Sequence, residues 1–275
     1  MKYGIMQGRL LPKYKGQYQA FPKDNWSDEF SIASNIGLDF IEFILDYEDF
    51  SLNPLMTAEG RSKILQICKS TNIKVKSVCA DYFMVNPIHN NNVNQSKKSI
   101  NILLELINNC YELGIQDIVI PCVDQSSIQS IKLKDHFVKN LESPIKLAEE
   151  YGINLALELD LAPKSILNLL NEINSHQVTI NYDLGNSASL GYDIEEEFAT
   201  YGDKITDIHI KDRILGGGPV FLGKGNVNFK KFFTVSKKYK VNPNIFIFQA
   251  FRDDAGIDIF KKQFKWYLDT AKEYN

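Results

Sequence analysis

Short runs of aliphatic, β-branched and aromatic residues alternate along this chain with longer stretches whose apolar residues recur at helical spacing. The runs are YGIM (3–6), DFIEF (39–43), KVKSVCAD (74–81), DIVIPC (117–122), NLALE (154–158), VTINYD (178–183), ITDIHI (205–210) and NIFIF (244–248). Between them the pattern predicts helices from about Ser27 to Gly37, over 57–71 with Asn72 at the end, up to Gly114, and from Leu133 to Tyr151 with Gly152 as the stop. Further helices are predicted after Pro163, near Ile194–Tyr201, around Phe229–Tyr239 and from about Gly256 to Glu273. Glu29 falls in the first turn of the first helix, where the helix dipole favours it. The segments 7–25, 86–95, 184–191 (LGNSASLG) and 216–226 (GGGPVFLGKGN) read as loops. Strand and helix alternating eight times predict a parallel α/β sheet, and eight units predict closure into a single (β/α)8 TIM barrel, one domain over 1–275. A doubly wound open sheet would carry a GxGxxG turn after its first strand, and GIMQGRL does not supply one.

In a parallel barrel the C-terminal strand ends share one rim. Glu158 closes NLALE, Asp183 closes TINYD, His209 lies in TDIHIKDR and Gln249 follows NIFIF, so the fold predicts that all four meet. Each has an ordinary explanation when taken singly: a salt bridge for Glu158, a turn or cap for Asp183, a satisfied core histidine for His209. Together, two carboxylates, an imidazole and an amide form a donor set that a divalent metal accepts. The amide is the anomaly, because a carboxylate is the expected fourth ligand and an amide cannot take a proton at neutral pH. Lys211, Asp212 and Arg213 follow the histidine and could reach over the rim, and Arg213 suits bidentate contact with carboxylate or phosphate oxygens. Gln7 and Arg9 after strand 1, and Glu42 on strand 2, are candidates to hold substrate hydroxyls, with loop packing as the alternative. The LGKGN segment offers backbone N–H groups for an anion. Of the remaining histidines, His136 and His176 are expected at the surface and His89 is a weaker pocket candidate.

Net charge is −3 and no long basic block occurs, which argues against a nucleic-acid surface. No stretch approaches the roughly 20 apolar residues that span a bilayer, and MKYGIMQGRLLPKYKG lacks the apolar run of a signal peptide. The expectation is therefore a cytoplasmic protein without a membrane partner. Cys68, Cys79, Cys110 and Cys122 have no CxxC spacing and are expected as buried reduced thiols.

GIMQGRLLP, FPKDNW, DFIEF, NYDLGN, HIKDR and LGKGNVNF together resemble the sugar phosphate isomerase/epimerase group of the xylose-isomerase-like TIM barrels, from Lys2 to about Tyr267. That resemblance implies a metal-dependent isomerase or epimerase of a sugar or sugar phosphate. It implies a divalent ion, Mn, Mg, Co or Zn, held by Glu158, Asp183, His209 and, in place of the family's fourth carboxylate, Gln249. Glu158 would be ligand and catalytic base, the ion a Lewis acid. It further implies that Arg213 and Asn186 contact the substrate, with Lys211, Gln7, Arg9 and Glu42 as further candidates. A homo-oligomer is compatible with this reading. The amide at 249 shifts the balance from two-base epimerisation toward aldose–ketose isomerisation, unless Glu42, Asp81 or His89 replaces the missing acid. The competing readings are a sugar-binding barrel without catalysis, which Gln249 favours, a keto-polyol dehydratase, and a hydrolase akin to the abasic-site endonucleases, whose sites are richer in histidine.

Overall fold

The computed structural model describes residues 2–241, 243, 245–254 and 256–274. Eight parallel strands close into a barrel in sequence order: β1 Gly4–Met6, β2 Phe40–Ile44, β3 Lys74–Cys79, β4 Asp117–Cys122, β5 Asn154–Leu159, β6 Val178–Asp183, β7 Ile205–Ile210 and β8 Ile245–Phe248. Strand β8 pairs with β7 on one side and β1 on the other, with Ile5 opposite Phe248, so no edge remains. Asn244, the predicted first residue of the last strand, lies outside the described residues.

The helices are α1 Asp28–Asn35, α2 Ala58–Thr71, α3 Tyr82–Val85, α4 Val93–Leu113, α5 Ile131–Tyr151, α6 Pro163–Ile173, α7 Leu184–Leu190, α8 Ile194–Tyr201, α9 Phe229–Lys238 and α10 Ile257–Lys272. Their ends follow from local chemistry. Thr57, Asn92, Ser130 and Asn228 each accept a backbone N–H of the first turn. Asn72 and Gly152 close α2 and α5 in the left-handed region, at φ 59° and 67°. The apolar faces of these helices cover the sheet: Leu103, Leu106, Ile107 and Cys110 of α4, for example, are buried in the common core. No helix among the described residues is long and apolar enough to cross a membrane.

Two segments depart from the sequence expectation. The third strand stops at Cys79, and Asp81 precedes a short helix, because Ala80 N–H pairs with Val119 and the chain then turns over β4. LGNSASLG is the helix α7 and its stop, although Gly and Ser are poor helix formers. Asp183 supplies the reason: its Oδ1 accepts the Asn186 N–H at 2.8 Å and starts the helix directly off β6.

The barrel interior is polar toward β2, β3 and β7. Glu42 reaches across to His209, Ser77 donates to Glu42 Oε2 at 2.8 Å, and Asp207 and Asn181 lie in register beside them. Burial first, and the neighbouring Glu42 next, push the Asp207 carboxyl well up. This acidic layer lies directly beneath the rim where the sequence places its candidate residues.

Candidate active site

Asp183 and His209 are direct register partners on β6 and β7. With Glu158 from β5 they form a buried trio whose ligand atoms all lie within 4.8 Å of one another. A second group, Glu42, Asp207 and His209, meets the same distance criterion and shares the imidazole. The two use opposite ring nitrogens. His209 Nε2 stands 3.0 Å from Glu42 Oε1, while Nδ1 faces Asn181 Nδ2 at 3.2 Å and Asp183 Oδ2 at 3.9 Å. The short Nε2–Glu42 contact, if it carries the ring proton, leaves Nδ1 as the acceptor. That is the carboxylate–histidine arrangement that orients an imidazole toward a metal.

Electrostatics favour a cation above Nδ1. Burial, then the adjoining charge of Asp183, pushes the Glu158 carboxyl up to about 7. Burial opposes charge on His209, but the surrounding carboxyl groups, Glu42 first, outweigh it and raise the imidazole to about 10. A divalent ion between Glu158, Asp183 and Nδ1 would relieve both strains, so the donor set fits one. Gln249 is at hand: its backbone N–H continues the β7–β8 ladder to Ile210 O, and its Oε1 accepts from Lys211 Nζ at 2.7 Å. The same ammonium reaches Asp183 Oδ2 at 3.2 Å. Lys211 therefore neutralises Asp183 while bridging it to Gln249.

A cavity of about 670 Å³ opens over this floor, and its lining includes Glu158, Asn186, Lys211, Arg213, Gln249 and Asp81. Asn186 Nδ2 donates to Glu158 Oε1 at 2.5 Å, and Arg213 Nη1 donates to Asn186 Oδ1 at 2.8 Å. The two predicted substrate contacts thus also form a chain that fixes Glu158. Of the four further candidates, Lys211 lines the cavity and the other three face elsewhere. Gln7 is buried, its Oε1 3.3 Å from the Ile44 N–H. Arg9 is spent on Tyr18 O, on Gln19 Oε1 and on the Tyr18 ring. Glu42 is 0% exposed and orients His209 instead of meeting a ligand. None of the three lines the cavity, because the long 7–25 segment folds back over β1 and β2. His89 packs against Phe137, and burial lowers it to about 4, which makes it a core residue.

Three residues near the site have roles that the sequence pattern did not assign to them. Asp207 sits two positions before His209, and strand alternation alone puts both on one face. Glu29 accepts the N–H groups of Gly8 and Leu10, pinning the loop after β1. Asp212 accepts three backbone N–H groups, from Gly223, Gly225 and Val227, at 2.9, 2.9 and 3.1 Å. The LGKGN segment is therefore wrapped around an internal carboxylate and is not open to an external anion. A Cβ at Gly225 would lie 2.2 Å from Asp212 Oδ1. Asp212→Asn is expected to lower unfolding free energy by roughly 2–4 kcal/mol, since at least one donor loses a charged acceptor. Urea denaturation checks it; an unchanged midpoint would mean that the loop holds without the clamp.

A family model described as xylose isomerase-like TIM barrel matches residues 30–270. A Haemophilus influenzae protein assigned provisionally as L-ribulose-5-phosphate 3-epimerase SgbU is 29% identical over 248 residues, 83% of this chain and 86% of that protein. Among solved structures, D-psicose 3-epimerase from Clostridium cellulolyticum, determined with D-tagatose, superposes with a TM-score of 0.75 at 13% identity, covering 100% of this chain and 99% of that one. The IOLI protein, determined with a bound zinc atom, superposes with a TM-score of 0.77 at 18% identity, covering 100% and 99%.

Proposed function

This chain belongs to the xylose isomerase-like TIM barrel family, and from that membership we propose that it is a divalent-metal-dependent epimerase of a keto sugar or keto-sugar phosphate. The observation that carries the reading is the buried trio of Glu158, Asp183 and His209, whose Glu158 lines an open cavity at the C-terminal ends of the strands while Asp183 and His209 lie beneath it. The 3-epimerase relatives support the reaction class. Glu158, Asp183 and His209 would hold the ion, with the Gln249 carbonyl within reach; when bound, the ion supplies Lewis-acid polarisation of the substrate carbonyl. Glu158, fixed through Asn186 and Arg213, removes the proton beside that carbonyl. Arg213 and Lys211 are the cationic groups nearest the floor and are proposed to orient the substrate's hydroxyl or phosphate oxygens.

The reaction is tested by incubating metal-loaded protein with a series of ketoses and ketose phosphates in deuterium oxide and following each carbon by NMR. Deuterium at a carbon beside the carbonyl, with a new epimer, is expected. Bond cleavage or dehydration in place of exchange would overturn the reading.

Metal binding itself has a separate readout. Occupancy at a hundred times the dissociation constant adds about 2.7 kcal/mol to stability, so the melting temperature is expected to rise by roughly 5–10 °C on adding Mn²⁺, Co²⁺, Zn²⁺ or Mg²⁺ to chelator-treated protein. Identical curves for every ion would remove the metal from the proposal.

A further inference from the structure

Epimerisation through one carbon needs an acid–base group on each face, and Gln249 withdraws the carboxylate that β8 would have offered. We propose that Asp81, between β3 and α3, is the second proton-transfer residue, acting on the substrate face opposite Glu158. The inference rests on the epimerase reading above and adds the residue that the reading lacks.

Among the carboxyl groups of the cavity, the geometry singles out Asp81. Among the described residues six carboxyl groups line the cavity: Asp46, Glu48, Asp49, Asp81, Asp124 and Glu158. Glu48, Asp49 and Asp124 are exposed at the mouth, and Asp49 is paired with Lys23. Asp46 is turned onto the Phe21 N–H at 2.6 Å. Asp81 remains, half-buried and held on both oxygens: Gln19 Nε2 donates to Oδ2 at 2.6 Å and the Cys79 thiol donates to Oδ1 at 3.2 Å. Gln19 joins it to the amide that displaced the fourth carboxylate, since Gln249 Nε2 donates to Gln19 Oε1 at 3.2 Å and Arg9 fixes the same oxygen at 3.0 Å. The acid thus lies one side chain away from the β8 position. Burial raises the Asp81 carboxyl above its ordinary value, against the hydrogen bonds from Gln19 and Cys79, which lower it.

The step balances without a further reactant. Glu158 as carboxylate takes the proton, and the C–H electron pair enters the enediolate while the carbonyl π pair moves onto oxygen. Asp81 as carboxylic acid then protonates the opposite face, and the electron pair returns to re-form the carbonyl. One turnover leaves Glu158 protonated and Asp81 ionised, and exchange with water through the open mouth resets both.

The test uses full-length, metal-loaded wild type and Asp81→Asn with the ketose series in deuterium oxide, with metal content and circular dichroism measured alongside. Asp81→Asn is expected to lose epimer formation at least 100-fold while still exchanging the proton of the one epimer whose C–H faces Glu158. A purely structural role would suppress exchange and epimer formation together. Should the amide variant fold poorly, Asp81→Gly with added formate replaces it, and formate is expected to restore epimer formation. Wild type that epimerises alongside an undiminished Asp81→Asn, or a folded Asp81→Gly that formate does not rescue, overturns this inference alone. Wild type that exchanges no carbon of any ketose overturns the epimerase reading and this inference with it.

Discussion

Replacing Glu158 with Gln is expected to abolish turnover and, in chelator-treated protein, to raise stability at neutral pH. The first effect follows from removing a base and a ligand together. General-base loss alone costs about 10²–10⁴ in rate, so a fall of at least about 10³ is expected. The second follows from proton linkage. The Glu158 carboxyl is raised from 4.5 to about 7 in the folded chain. Between those values the folded state keeps a proton that the unfolded state has released, so stability falls as pH rises through that window and stays lower above it. Gln carries no such linkage. The variant should match wild type near pH 4.5 and exceed it by up to roughly 3 kcal/mol near pH 8. Paired urea titrations at both pH values, with chelator, measure the difference. A variant less stable than wild type at pH 8 would mean that Glu158 is already ionised and well partnered in the folded chain. With metal bound the order should invert, because the ion requires the ionised carboxylate.

Gln249→Glu is the second substitution with a large expected effect. The present set is two carboxyl groups, an imidazole and an amide, with Lys211 Nζ 2.7 Å from the amide oxygen. A carboxylate at this place adds a charged oxygen ligand, and the lysine prevents that charge from standing alone. Metal affinity is expected to rise on the order of tenfold to a hundredfold, measured by competition with a chelating dye. The new acid should also restore epimer formation to Asp81→Asn, because it returns a proton carrier to the opposite side of the cavity. Tighter metal without restored epimerisation would mean that the β8 position cannot reach the reacting carbon.

The two substitutions also mark how far the site was legible in the sequence. Strand ends in a parallel barrel converge by topology, so Glu158, Asp183, His209 and Gln249 could be brought together from strand order alone. Side-chain direction across the barrel could not. Glu42 reads as a rim residue because it lies near the end of β2, whereas in the structure it points inward to His209 on a strand that is not its neighbour. Gln19 lies in a long loop, 62 positions from Asp81 and 230 from Gln249, and no local pattern announces either contact. The helix α7 was hidden by its glycine and serines, since the cap that starts it is the same Asp183 that the pattern assigned to a ligand.

Closure of the barrel by β8 has a consequence for how this protein comes off the ribosome. Until Ile245–Phe248 emerges, β1 and β7 present open edges to each other and Gln249 does not yet exist. The loop clamped by Asp212 also waits for α10, where Gln263 Oε1 meets the Leu222 N–H and Trp266 packs against Phe229. The trio of Glu158, Asp183 and His209, on β5, β6 and β7, is therefore synthesised before the strand that closes the barrel beside it. Such long-range pairing is slow to form and leaves sticky edges exposed meanwhile. Slowed elongation near residue 245 should therefore cost more soluble protein than the same pause between earlier strands.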